Sequence, residues 1–345
     1  MDARSHRSSA DLPAVIAADV GNSKTDVVLV SEAGEVLGAV RGPTASHQQV
    51  GPEAAFETLA SLAERAVVRA GLDPKRRPLA RMIVSIAAGA DYPADVRMLT
   101  RGLRGTGLAV DQLVTNDCFG GLRAGTTRSW GVCVICGSGM NCLGIAPDGR
   151  VARFDALGEM SGDWGGGGDL GGAGLAAAVR AQDRRGPATL LEHTVPAHFG
   201  MARPRSLVRA MYHGTIPFRR SLEIAPLVFE AATAGDTVAR GIVDRQADEV
   251  VAWAGAAIRR LHLRRSDPDV VLAGSVFRAV DTGFYARIGE GIAAVAPAAR
   301  VSRLDAPPVL GAALLGLDHL DGAPTPADVE LRLRAALTHD RVGGD

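Results

Sequence analysis

Two short glycine turns, each placed between two apolar runs, constrain the fold of this chain more than any other feature. The first apolar run ends at Asp19, and the turn from Gly21 to Asp26 separates it from a second apolar run. Runs of β-branched residues broken by glycine-containing turns predict an antiparallel hairpin or meander. The same pattern covers 131–154, with a Gly-Ser-Gly turn at 137–139. One design of strand, glycine turn, strand, turn and strand therefore occurs twice in 345 residues.

The composition of these turns predicts anion binding. Successive backbone N–H groups in a turn can enclose an anion, and a glycine lets a phosphate approach the main chain. Two such hairpins facing each other would form a clamp for a nucleotide. Lys24 either neutralises phosphate charge there or lies in solvent. The chain has no GxxxxGKS/T pattern, which excludes a P-loop NTPase.

Strand and helix patterns alternate after the first meander and predict an α/β domain with a mixed sheet. The predicted elements are a helix over 52–70, a strand over 81–86, a strand over 112–115 and a helix over 118–125. A glycine-dense stretch, 158–172, follows the second meander and precedes a helix predicted over 172–183. It is either a flexible linker or a loop whose backbone approaches a ligand. Its acidic residues and its tryptophan favour the loop.

Three aspartates are candidates for chemistry. Asp19 ends a buried strand beside a glycine turn, where it could bind Mg²⁺ or cap the turn. Asp117 ends a later strand, where it could act as a general base or cap the next helix. Asp163, in the glycine-dense stretch, could accept hydrogen bonds from sugar hydroxyls or be a solvated loop acid. Because phosphoryl transfer needs a held metal, backbone cradles and one oriented base, the sequence favours that reaction.

The charge balance and the cysteine content limit the classes of protein that remain possible. Lys and Arg total 38, as do Asp and Glu, so no electrostatic footprint for nucleic acid is visible. No run is long enough to span a bilayer and no signal peptide is recognisable, so we expect a cytoplasmic protein without a membrane partner. The cysteines are expected to be reduced core thiols. The spacing of Cys133 and Cys136 leaves a redox or iron–sulfur role as the alternative, although positions three apart in a strand point to opposite faces.

Taken together, these signals resemble the sugar kinase, Hsp70 and actin ATPase superfamily. Within it the chain looks like the N-acetylglucosamine kinase group, which shares a sequence family with the BadF/BadG/BcrA/BcrD ATPases. The resemblance implies an α/β, two-lobed actin-like ATPase (ribonuclease H-like) fold, with duplicated domains, mixed five-stranded sheets and an interdomain cleft. It implies an N-terminal lobe of 1–121 plus 321–345 and a C-terminal lobe of 122–320. It also implies ATP and Mg²⁺ as cofactors, an amino sugar as substrate and a homodimer.

The resemblance also assigns roles to residues. It implies that Asp117 is the base acting on the sugar 6-hydroxyl and that Asp19 organises Mg²⁺. The residues it implies for binding ATP are Gly21, Asn22, Ser23, Lys24, Thr25, Gly137, Ser138, Gly139 and Gly274. The residues it implies for binding the sugar are Ser46, His47, Asn116, Asp117, Asn141, Gly162, Asp163 and Trp164.

Some positions depart from the family pattern. Asn22 and Ser23 stand where consecutive glycines are usual, Ser46 stands where Asn is common, and Trp164 stands where Glu is usual. Two of these changes fall on implied sugar contacts, so N-acetylglucosamine, glucosamine, N-acetylmuramic acid and other hexoses stay open. The histidine and cysteine cluster that binds zinc in another bacterial glucokinase-like family is absent, so we predict no structural metal.

Three function classes remain. The first is an ATP-dependent amino-sugar 6-kinase. The second is an ATPase that activates a dehydratase, which needs cysteines placed to share an iron–sulfur cluster across a dimer. The third is a sugar sensor without catalysis, which needs the loss of the base or of a phosphate turn.

Overall fold

The computed structural model describes residues 12–343, and these form two units. Unit 1 contains the described residues up to Ser129 together with those from Leu304 onwards, and unit 2 is Trp130–Arg303. The boundaries predicted from sequence, at 121/122 and 320/321, differ from these. The first would divide the helix Asp117–Gly125, and the second would assign to unit 2 a helix that packs on the sheet of unit 1.

Unit 1 is built on a five-stranded mixed sheet with the order β3-β2-β1-β4-β5. Its strands are β1 (Val15–Val20), β2 (Lys24–Val30), β3 (Val36–Pro43), β4 (Ala80–Ala87) and β5 (Ala109–Asn116). The meander β1-β2-β3 is antiparallel, whereas β4 and β5 run parallel to β1. The predicted meander and the two later strands are thus part of one sheet.

Helices cover both faces of this sheet. They are α1 (His47–Val50), α2 (Pro52–Arg69), α3 (Pro93–Gly105), α4 (Asp117–Gly125) and, after unit 2, α11 (Val309–Asp321), α12 (Ala327–Ala336) and α13 (His339–Gly343). Alternate residues of a strand face opposite sides. Accordingly, Ile16 and Ala18 belong to the core shared with α2 and α3, and Val15 and Ala17 belong to the core shared with α11.

Unit 2 repeats the sheet of unit 1 with the order β10-β9-β6-β7-β8. Its strands are β6 (Gly131–Cys136), β7 (Met140–Ile145), β8 (Val151–Arg153), β9 (Asp269–Ala273) and β10 (Arg300–Arg303). Here β6-β7-β8 is the antiparallel meander, and β9 and β10 are parallel to β6. The two sheets have the same order and directions, which confirms the duplication predicted from sequence.

The helices of unit 2 fill the chain between β8 and β10. They are α5 (Gly167–Gln182), α6 (Leu191–His198), α7 (Pro204–Tyr212), α8 (Ala225–Thr233), α9 (Thr237–Arg260) and α10 (Thr282–Val295). The long helix α9 begins at a strong N-cap, because Asp236 accepts hydrogen bonds from the backbone N–H groups of Val238 and Ala239 at 2.9 Å. Val250, Ala254 and Ile258 of α9 share a core with β6 and β7.

Within residues 12–343, no helix combines the length and the apolarity that a membrane crossing requires.

Candidate active site

The carboxyl ends of three parallel strands meet at one edge of the unit 1 sheet. In the strand register, Val20 of β1 is paired with Ala87 of β4, and Ala87 is paired with Asn116 of β5. Asp19 lies one residue before the end of β1, and Asp117 directly follows β5 as the first residue of α4. The fold therefore brings two of the three aspartates predicted for chemistry to the same sheet edge.

The pKa of Asp19 shows that the charges of neighbouring carboxylates act on it. Burial is the largest cause that raises the pKa of Asp19 from 3.8 to about 7, and the charges of Asp26 and Asp117 contribute to the rise. The positive charges of Lys24 and Arg41 oppose this rise without cancelling it. The site thus holds more negative charge than the protein neutralises, which suits a divalent cation.

Asp26 is a site residue that the sequence analysis missed. It lies directly opposite Asp19 in the register of β1 and β2, and only 1% of it is exposed. Arg41 binds it with two hydrogen bonds, from Nε to Oδ1 at 2.6 Å and from Nη2 to Oδ2 at 2.9 Å. Lys24 Nζ also donates to Asp26 Oδ2 at 3.1 Å. The sequence signal for this group is an acidic residue directly before the apolar run Val27–Val30.

Lys24 is therefore not a purely solvated residue. Its side chain is 43% exposed while it contacts Asp26. The contact fixes its position at the edge of the first glycine turn, with part of the side chain accessible from solvent.

The loop after β3 is tied to the first glycine turn. Thr44 Oγ1 donates to the carbonyl oxygen of Gly21 at 2.7 Å, and the Ala45 N–H donates to Thr25 Oγ1 at 2.8 Å. Ser46 Oγ donates to Asn22 Oδ1 at 2.9 Å. Thr25 and Ser46 are both fully buried, so the structure places these two predicted contact residues beneath the surface. His47, the first residue of α1, is partly exposed.

Asn116 performs the capping role that the sequence analysis considered for Asp117. Its Oδ1 accepts a hydrogen bond from the Cys118 N–H at 3.1 Å, which caps α4. Its Nδ2 donates to Asp91 Oδ1 at 2.9 Å. With 1% exposure, Asn116 orients the start of α4 and hence the neighbouring Asp117.

In unit 2, the glycine-dense stretch packs directly on the second glycine turn. The Gly167 N–H donates to the Gly137 carbonyl oxygen at 2.8 Å, and the Gly168 N–H donates to that of Ser138 at 2.8 Å. The helix α5 begins at Gly167, five residues earlier than the sequence predicted, so part of this stretch is helical. The backbone does approach closely here, although what it approaches in this structure is the turn 137–139.

Steric space explains the glycines of this stretch. Gly166 has φ 86°, and a Cβ atom added to it would lie 2.5 Å from the Cα atom of Gly139. The N–H of Gly166 donates to Oε1 of Gln246 at 2.9 Å, and Gln246 is fully buried. A flexible linker would not need these contacts. Gln246 gave no signal in the sequence, because it lies inside a long amphipathic helix.

Gly274 directly follows β9, and its surroundings also leave no space for a side chain. Its φ is 110°, and an added Cβ atom would lie 2.3 Å from the carbonyl oxygen of Cys136. The loop after β9 therefore lies against the end of β6, next to the turn 137–139. The structure thus groups the predicted phosphate turn with the predicted adenosine residue inside unit 2.

The predicted sugar residues of unit 2 have contacts within the protein. Asp163 Oδ2 accepts hydrogen bonds from the Gly158 N–H at 3.1 Å and from the Ser161 hydroxyl. The guanidinium of Arg245 lies over the Trp164 ring, 3.9 Å from its centroid, in a cation–π contact. Asn141 Oδ1 accepts from the Cys142 N–H at 2.8 Å. Asp163 and Trp164 stay partly exposed beside one another.

All four cysteines are buried, and none forms a disulfide. Cys136 and Cys142 lie in the core of unit 2, where burial raises the pKa of both thiols well above the usual range. Thiolates are the form that binds metals and attacks disulfides, so this environment disfavours both roles. No group of three or more His, Cys, Asp or Glu residues within 12–343 is arranged to hold a metal ion.

Comparison with known proteins agrees with this architecture. The model of the BadF/BadG/BcrA/BcrD ATPase family matches residues 18–316. The chain belongs to this family. Its relatives include the N-acetyl-D-glucosamine kinase of Dictyostelium discoideum, 25% identical over 313 residues that cover 88% of this chain and 97% of the relative. The N-acetylmuramic acid/N-acetylglucosamine kinase of Clostridium acetobutylicum is 27% identical over 194 residues, which cover 56% of this chain. That match spans 63% of the relative's length, less than two thirds.

The family fold is also seen in solved structures. A candidate N-acetylglucosamine kinase of Chromobacterium violaceum has a crystal structure similar to this one, with a TM-score of 0.69 at 20% identity. The similarity covers 89% of this chain and 99% of that one. It confirms the predicted actin-like ATPase fold with two mixed five-stranded sheets.

Proposed function

We propose that this chain is an ATP-dependent kinase that phosphorylates the 6-hydroxyl of an amino sugar, N-acetylglucosamine or glucosamine. The observation that carries the proposal is the grouping of Asp19 and Asp117 at one sheet edge, close enough for the charge of Asp117 to raise the pKa of Asp19. Membership of an ATPase family supports ATP, and the names of the relatives support the sugar.

In this proposal Asp117 is the general base. It accepts the proton of the sugar hydroxyl while the hydroxyl oxygen bonds to the γ-phosphorus of ATP and the bond to the bridging oxygen breaks, releasing ADP. Its position in the first turn of α4 suits this role, because a helix N-terminus stabilises negative charge. Asn116 caps that turn and so fixes the direction of the neighbouring carboxylate.

Asp19 is the residue proposed to hold Mg²⁺. The carboxylates of Asp26 and Asp117 act on Asp19 together with two cations, Lys24 and Arg41, and this surplus of carboxylates is the feature that fits a divalent cation. When bound, Mg²⁺ neutralises charge on the ATP phosphates. The backbone of Gly21–Thr25 and of 137–139 is proposed to contact those phosphates, with Gly274 beside the adenosine. His47, Asp163 and Trp164 are the partly exposed residues proposed to contact the sugar.

The test is a coupled assay of ADP release with glucosamine, N-acetylglucosamine, N-acetylmuramic acid, N-acetylmannosamine and glucose. We expect turnover with an amino sugar and none with its 6-deoxy analogue. Asp117→Asn should lower kcat by about 100-fold or more, since a positioned base contributes about 10²–10⁴-fold. ATP binding, measured by calorimetry, should survive in that variant.

The matched control is Asp111→Asn, the same chemical change on an exposed residue of β5. It should keep wild-type turnover. Full turnover by Asp117→Asn would remove Asp117 from the mechanism, whereas sugar binding without ADP release would favour the sensor.

No observed contact supports the alternative function, an ATPase that activates a dehydratase. An iron–sulfur cluster shared across a dimer would need cysteines at a surface, and all four are buried. A brown, iron-containing protein after anaerobic purification would revive that class. The homodimer and the cytoplasmic location stay predictions.

A further inference from the structure

Two residues that depart from the family pattern contact each other in unit 1. Ser46 Oγ donates a hydrogen bond to Asn22 Oδ1 at 2.9 Å, although the two residues are 24 positions apart in the chain. Ser46 is fully buried, whereas Asn22 is exposed on the first glycine turn. A substrate at the surface can therefore reach the amide of Asn22 but not the hydroxyl of Ser46.

The surroundings hold this amide in one orientation. The hydrogen bonds from Thr44 to Gly21 and from Ala45 to Thr25 join the two loops on either side of the contact. While Ser46 Oγ donates to Oδ1, the other amide atom, Nδ2, is directed away from Ser46. Asn22 Nδ2 makes no hydrogen bond to any residue in the range 12–343. The structure thus presents an amide donor, linked to the buried Ser46 hydroxyl, at the edge that carries Asp19.

The chemistry of this donor favours a neutral oxygen as its acceptor. An amide N–H carries no formal charge and suits a hydroxyl or an N-acyl carbonyl oxygen. The side chain of Asn22 also leans towards Ser46, whose next residue, His47, is proposed to contact the sugar.

We infer that Asn22 contacts the sugar through Nδ2 and sets the specificity of the kinase, and that Ser46 is a positioning residue that acts through Asn22. This inference rests on the proposed function. It transfers to the side chain of Asn22 the sugar contact that the family resemblance implies for Ser46, and it leaves the backbone of Gly21–Thr25 with the phosphates.

The experiment compares wild-type protein with Asn22→Ala, Ser46→Ala and the double variant, varying sugar and ATP separately. The control is Gln49→Ala, which removes an exposed amide from the adjacent helix α1. Losing one neutral hydrogen bond should raise the KM for the sugar about 10-fold in Asn22→Ala, with the KM for ATP within about twofold. Ser46→Ala should raise the sugar KM about threefold, since the amide stays present but loses its orientation.

The double variant distinguishes positioning from direct contact. If Ser46 acts only through Asn22, the double variant should match Asn22→Ala, because the effects of coupled residues are not additive. Each variant is first checked for wild-type circular dichroism, and Asn22→Ala is expected to fold because the residue is exposed.

Five outcomes are decisive. If Asn22→Ala raises the KM for ATP instead of the KM for the sugar, the role of Asn22 is overturned. The same holds if the sugar KM of Asn22→Ala equals that of Gln49→Ala. If the sugar KM of the double variant exceeds that of Asn22→Ala by the full factor that Ser46→Ala causes alone, the positioning role of Ser46 is overturned. If wild-type protein already releases no ADP with any sugar, the proposed function fails first, and the inference fails with it. Sugar-dependent wild-type turnover with the expected KM pattern supports both.

Discussion

Replacing Arg123 should destabilise unit 1 severely, because this residue joins three helices inside the protein. Its guanidinium donates to Asp318 at 2.7 and 3.2 Å and to Glu330 at 3.1 and 2.9 Å. The side chains of Arg123 and Glu330 are only 10% and 9% exposed. Arg123 lies in α4, Asp318 in α11 and Glu330 in α12. The ion group therefore fixes the helix that begins with Asp117 to the last part of the chain.

The magnitude follows from what stays behind after Arg123→Met. Removing one partner of a buried ion pair costs about 3–5 kcal/mol, since the other charge is left uncompensated. Here Glu330 keeps Arg334 at 2.7 Å, and Asp318 keeps the Thr325 hydroxyl at 2.7 Å. We therefore expect the lower end, a loss of about 3 kcal/mol in the free energy of unfolding.

Hydrogen exchange followed by mass spectrometry measures this loss within unit 1. Strand amides of β1 and β4 that exchange through global opening should exchange more than about 100-fold faster in Arg123→Met, since about 1.4 kcal/mol is a factor of ten. The control is Arg76→Met, which removes an exposed pair with Asp73 at 3.7 Å and should cost less than about 1 kcal/mol. Equal protection in the two variants would refute the buried ion group as a source of stability.

Three further predictions test the site. In metal-free buffer the raised pKa of Asp19 makes its ionised form unfavourable, so its contribution to stability is full at low pH and is lost as pH rises through about 7. Asp19→Asn should therefore be more stable than wild-type protein at pH 8.5 by about 2–4 kcal/mol in urea unfolding, and equal to it near pH 4; lower stability at pH 8.5 would contradict this. Gly274→Ala should lower the free energy of unfolding by about 2 kcal/mol or more, measured by urea, because its Cβ would clash with the Cys136 carbonyl at positive φ; an unchanged midpoint would show that the loop can shift. Gln246→Leu should cost about 1–3 kcal/mol in the same assay, because the Gly166 N–H loses its buried acceptor.

The fold was predictable because its signals are local. The two meanders and the acidic residues at strand ends depend on alternation and turns within about 30 residues, which a single sequence displays. The sequence also placed Asp19 and Asp117 at strand ends, and the strand register brings both to one sheet edge. The domain boundaries were less predictable, because the apolar pattern of α11 does not say which of two similar sheets it covers.

The fine structure of the site depends on contacts between distant segments. Nothing in the sequence near Ser46 shows that its hydroxyl meets Asn22, or that Thr25 and Asn116 are buried. The glycines at 166–168 leave space for the turn 137–139, a contact that the sequence did not reveal. Such packing follows from the tertiary fold, and composition alone cannot supply it.

The division of unit 1 into two chain segments has a consequence for how the protein is made. Translation runs from the N-terminus, and domains tend to fold as they emerge. Unit 2 is complete when Arg303 leaves the ribosome, but the first sheet at that moment still lacks α11 over Val15, Ala17 and Met82. A nascent chain stalled before Leu304 would therefore carry one finished unit and one bare apolar sheet face, the kind of surface that chaperones bind and aggregates grow from.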